Sequence, residues 1–146
     1  MAARYVKRWR RFRALDQGDR WLIVEAIILI GIVQAGLRTF RFATLLRLLA
    51  GAKQIRAGAH HPPARIGWAL DAAARLMPLR SCLCDALVAD VMLCRRGLQS
   101  ILRLGVKKRN QPDVPLEAHA WVESEGSIIA GRLETLDDYR VFAAGF

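Results

Sequence analysis

The sequence predicts an α+β fold, with helices first and an antiparallel sheet after them. Three observations carry that expectation. Apolar residues recur at helical spacing through the first two thirds of the chain. A clean two-residue alternation then runs over 117–123, with Ala118, Ala120 and Val122 on one face and Glu117, His119, Trp121 and Glu123 on the other. Glu125-Gly126 follows as a hairpin turn, and 127–130 returns as the next strand. Helices followed by neighbouring strands, rather than alternating with them, are the α+β order.

Taken in order, 4–14 mixes basic residues with Tyr5, Val6, Trp9 and Phe12 at helical spacing. Residues 16–19 offer a break and an N-cap for the next helix. The span 21–49 reads as one long helix or two, with a bend near 36–39. Residues 51–63 form a connector marked by Gly51, Gly58, His60-His61 and Pro62-Pro63. Another helix covers 64–76, with Ile66, Leu70, Ala73, Ala74 and Met77 along one side and Pro78 as its stop. Ser81 is placed to cap a helix over 82–96 that Gly97 ends. Leu83, Ala86, Leu87, Val91 and Leu93 call for burial on more than one side, so this helix is central. Branched residues predict a strand over 98–106, and 107–115 is a polar loop with Asn110, Pro112 and Pro115.

A chain of 146 residues suits one compact domain, with an N-terminal helical region over 1–63 and a core over 64–146. Its 53% hydrophobic content excludes disorder over most of the length. The formal net charge is +10, and the first twenty residues set Arg4, Lys7, Arg8, Arg10, Arg11, Arg13 and Arg20 against only Asp16 and Asp19. That bias fits an acidic partner or a solvated basic face. Three closely spaced cysteines match neither a paired disulfide framework nor a zinc pattern, which predicts free thiols and a cytoplasmic location. The apolar run over 21–37 carries Glu25 and Gln34, so it is expected to be buried or to touch a membrane rather than to span one.

Chemistry concentrates at two positions. Cysteine is a nucleophile as the thiolate, and the unpaired N–H groups of a helix start favour an anion. Cys82 directly follows the cap, while Cys84 points elsewhere on the helix and Cys94 belongs to the core. His60 and His61 sit in the connector, where no role is needed. His119 lies on the alternating strand, placed to act as a base toward a cysteine. Trp121, on the same face, is read as packing.

The runs Cys82-Leu83-Cys84-Asp85-Ala86-Leu87, Arg95-Arg96-Gly97, Leu104-Gly105-Val106 and Glu117-Ala118-His119-Ala120-Trp121-Val122-Glu123 resemble the transglutaminase-like leader peptidases of lasso-peptide biosynthesis. The likeness runs from about Arg80 to Val141, with Cys82 and His119 separated by 37 positions. It implies a papain/transglutaminase-like core, a nucleophile helix against an antiparallel sheet, with Cys82 as nucleophile and His119 as base. The family's third residue, an Asp on the strand after the histidine strand, falls here at Gly131; Glu134, Asp137 and Asp138 follow it, and Glu117 and Glu123 share the His119 face. The resemblance further implies a precursor peptide as substrate, a separate leader-recognition protein and a lasso cyclase. It implies no metal or cofactor in this chain, with ATP a requirement of the maturation complex if of any component.

Two rivals remain beside that expectation. One is a transamidase or degenerate scaffold of the same fold, favoured by the missing Asp. The other is a basic nucleic-acid or membrane-surface binder, supported by the charge and by Trp9 and Phe12 among arginines. Nucleic acid is not an expected partner of the peptidase, whereas peripheral membrane contact is compatible with it.

Overall fold

Local signals set the element boundaries. Asp16 caps the first helix, its carboxylate accepting the Gly18 N–H at 3.1 Å. Ser81 caps the central helix in the same way, its hydroxyl accepting the Cys84 N–H at 3.1 Å. The computed structural model describes residues 12–56, 60–77, 80–107 and 116–144. Among these are helices α1 (Gln17–Thr39), α2 (Phe42–Lys53), α3 (Pro63–Ala74) and α4 (Cys82–Cys94). Strands β1 (Ile101–Lys107), β2 (Glu117–Ser124), β3 (Ser127–Ala130) and β4 (Arg140–Ala144) follow, with a short 3-10 turn at Leu136–Asp138 before the last. The sheet is antiparallel throughout, in the order β3-β2-β1-β4. The α+β expectation holds. The expected helix over 4–14 and the stop at Pro78 fall mainly outside the described residues.

The long apolar segment is two helices, parted where Phe40 is extended. Gly36 makes the close approach possible: a Cβ there would lie 2.6 Å from Leu45 Cδ1 of α2. The connector begins later than the glycine pattern suggests, because α2 runs through Gly51 to Lys53. By length and composition α1 could cross a membrane. It nevertheless buries Leu22, Ile23, Ala26, Leu29, Ile30 and Val33 in the core and leaves Trp21, Ile28 and Ile32 outside. Glu25, the charge that argued against a span, receives Arg95 at 2.8 Å and Arg96 at 2.5 Å.

The central helix is α4. Cys84 and the whole stretch from Ala86 to Leu93 are buried, as expected of a helix with neighbours on all sides. Its end is a Schellman turn: Leu98 N–H donates to Leu93 O at 3.1 Å and Gly97 N–H to Cys94 O at 3.0 Å, with Gly97 at φ +71. Residues 98–100 are therefore spent on leaving the helix, and β1 starts at Ile101 rather than at Leu98. In β2 the simple alternation fails at two positions: Trp121 is buried beside Ala120 and Val122, while Ala118 is exposed. Ala120 and Val122 join the α4 core, and Trp121 is covered separately over Gly105 and Gly131. The hairpin turn uses Glu125 and Gly126 at φ +49 and +75.

Candidate active site

The cap at Ser81 decides what the two neighbouring cysteines become. Cys82 is the first helical residue and is half-buried. Cys84, two positions on, is fully enclosed, with its sulfur 3.9 Å from Ile30 O. Burial pushes the Cys84 thiol up to about 11, reinforced by the charge of Asp85. Cys94 is only half-buried and stands outside the expected core position; its thiol is also raised, by burial and then by Asp90, toward which its sulfur points at 3.6 Å. Of the three thiols, Cys82 is the one that lines the cavity beside His119.

That cavity is a cleft of about 750 Å³ between α3, the start of α4 and the β2–β3 edge. Cys82 and His119 both line it, together with Trp68, Asp71, Asp85 and the segment 127–132. Arg80 holds Asp85 through two bonds, of 2.7 and 3.0 Å. Burial still raises the Asp85 carboxyl above its ordinary value, against the pull of Arg80. His60 and His61 do not line this cleft; His61 lies beside Gly18, at the start of α1.

His119 is held by a main-chain group. Its Nε2 lies 2.7 Å from the carbonyl oxygen of Gly131. A carbonyl only accepts, so Nε2 carries the proton and the neutral ring leaves Nδ1 with a free lone pair. The ring stacks on Trp121 at 6.2 Å and 17°, and meets Tyr139 at 5.7 Å and 50°. The carboxylates named beside it bind other groups. Glu117 accepts from the Tyr139 hydroxyl at 2.8 Å. Glu123 accepts from the Trp121 indole at 2.9 Å and forms an ion pair with Arg103 at 2.9 Å. Asp138 pairs with Lys107 at 2.6 Å, and Glu134 and Asp137 are exposed. Among the described residues no group of three His, Cys, Asp or Glu side chains is arranged to hold a metal ion.

The start of a central helix thus places a cysteine, and a strand of the sheet a histidine, along one cleft, and the family model described as the transglutaminase-like superfamily matches residues 28–144. The chain belongs to the transglutaminase-like superfamily. No curated protein and no solved structure matches the chain. As a transglutaminase-like domain it carries a scaffold that suggests a cysteine peptidase or a transamidase. The match begins inside α1 and takes in α2, α3, α4 and the sheet.

Two groups that hold His119 in this candidate site escaped the sequence reading. Tyr139 lies just past the turn and reaches His119 across β1. The Gly131 carbonyl occupies the place where a carboxylate was sought. A glycine after a strand signals a positive φ, but the direction of its carbonyl is not written in any local pattern.

Proposed function

We propose that this transglutaminase-like protein is a cytoplasmic cysteine peptidase that removes the leader from a lasso-peptide precursor. The observation that supports it most is the shared cleft: the accessible thiol of Cys82 and the held imidazole of His119 line one cavity. Nδ1, free of a proton, takes the proton of the Cys82 thiol. The sulfur attacks the scissile carbonyl and forms the C–S bond. The carbonyl oxygen becomes an oxyanion, which the first-turn N–H groups of α4 can meet; Ser81 caps Cys84 N–H and leaves those of Cys82 and Leu83 without an intrahelical acceptor. His119 returns the proton to the amine nitrogen as the C–N bond breaks. Water, deprotonated by the same ring, then cleaves the thioester and restores the thiol.

The proposed partners are the precursor peptide, a leader-recognition protein and a lasso cyclase. The test is mass spectrometry of a precursor incubated with the protein and its recognition partner. The expected products are a free core N-terminus and a leader ending in a free carboxylate, both absent with Cys82→Ala or His119→Ala. Cleavage that survives Cys82→Ala sinks the peptidase reading. An amide-linked product in place of the free acid assigns the site to transamidation.

A further inference from the structure

The geometry points to Gly131 as a positioning residue whose main-chain carbonyl replaces the carboxylate that would otherwise orient the histidine. This inference rests on the reading of His119 as the general base and adds what holds that base.

The bond from His119 Nε2 to Gly131 O is 2.7 Å, at the short end for N–H···O. It fixes the ring's orientation and its tautomer, the two tasks of a third residue in a Cys–His site. No side chain could take over from this position. Gly131 has φ +78. A Cβ there would fall 2.3 Å from Ala120 O and 2.9 Å from Trp121 Cα. Both are main-chain atoms of β2 and cannot swing aside. The backbone that brings the carbonyl to the ring therefore excludes an aspartate at the same residue.

The carboxylates on the His119 strand serve the same end indirectly. Glu123 holds the Trp121 indole and Glu117 the Tyr139 hydroxyl, and these two rings flank the imidazole. Gly105 of β1, paired directly with His119, leaves room for both: a Cβ there would lie 3.0 Å from the Trp121 ring and 3.1 Å from Tyr139 Cβ. Packing by the two rings and one carbonyl bond thus set the imidazole. The site has orientation without a negative charge behind the ring.

Nitrogen NMR of histidine-labelled protein reads this directly. The neutral His119 is expected as the Nε2–H tautomer, with Nδ1 unprotonated. A Nδ1–H tautomer, or an even mixture, overturns the proposal. Gly131→Ala should displace the carbonyl, mixing the tautomers of His119 and lowering kcat on precursor at least about tenfold, with KM within about twofold. Gly131→Asp should also lose activity; a gain over the parent protein would show that a carboxylate fits after all and overturn the proposal. The tautomer measurement on the unaltered protein decides the matter even where these variants do not fold. Because Cys82→Ala tests the peptidase reading separately, a cleaving protein with the wrong tautomer sinks only the role of Gly131.

Discussion

The two ends of α4 hold their key groups in different ways. At its C-terminal end charge meets charge: Lys53 reaches Asp90 at 2.5 Å, Ser100 donates to Asp90 at 2.7 Å, and Glu25 gathers Arg95 and Arg96. At its N-terminal end Arg80 also pairs with Asp85, but the groups proposed for chemistry are held by neutral ones, a serine hydroxyl on the first turn and a glycine carbonyl on the histidine. The difference teaches how one helix can anchor a fold and present a reactive group. Ion pairs with little exposure lock the far end, because losing one partner strands a charge. The near end keeps its thiol open, and the held imidazole stands in the same cleft.

That contrast can be broken at several points. The largest effect is expected from Cys82→Ala, with precursor cleavage falling at least about 10⁴-fold and the unfolding midpoint in urea little changed. Cys84→Ala should act the other way, on stability rather than on mechanism. Next comes Glu25→Gln, which leaves Arg95 and Arg96 without their carboxylate. It should cost about 3 kcal/mol in chemical denaturation while the rate per folded molecule is maintained.

The third prediction concerns pH. The unfolded Cys84 thiol ionises near 9, and the folded one is pushed up to about 11. Between these values the unfolded chain has lost a proton that the folded one keeps, so stability falls as pH rises. The loss should approach roughly 2–3 kcal/mol by pH 11 and be missing from Cys84→Ala, read as the difference between their denaturation curves at pH 8 and pH 11. At pH 8 iodoacetamide should label Cys82 and spare Cys84, as peptide mapping would show. The smallest effect is expected from Ser81→Ala. Losing the cap should cost about 1 kcal/mol and slow the alkylation of Cys82, sharpening the link between helix start and thiol.

Much of the architecture was legible because its signals are local. Asp16, Ser81, Gly97 and the Glu125-Gly126 turn each act within a few residues, and all four do what their residue types suggest. The positions that misled are those where distant parts of the chain decide. Trp121 packs as its reading expects, yet it does so over Gly105 and beside Gly131, neighbours that its own strand does not name. Gly51 looks like a break, yet α2 continues through it because Leu45 and Leu49 are buried beside the other helices.

By itself the sequence determined the order of helices and strands, the cap that puts Cys82 at a helix start, and the strand that carries His119. Periodicity and capping are short-range, so a single chain reveals them. The tertiary structure alone decided how far each thiol is buried, which carboxylates are engaged elsewhere, and that a main-chain carbonyl meets the imidazole. Those outcomes depend on how β3 leaves β2 after Ala130 and on what packs over Gly105. Such contacts join residues whose proximity no local pattern encodes.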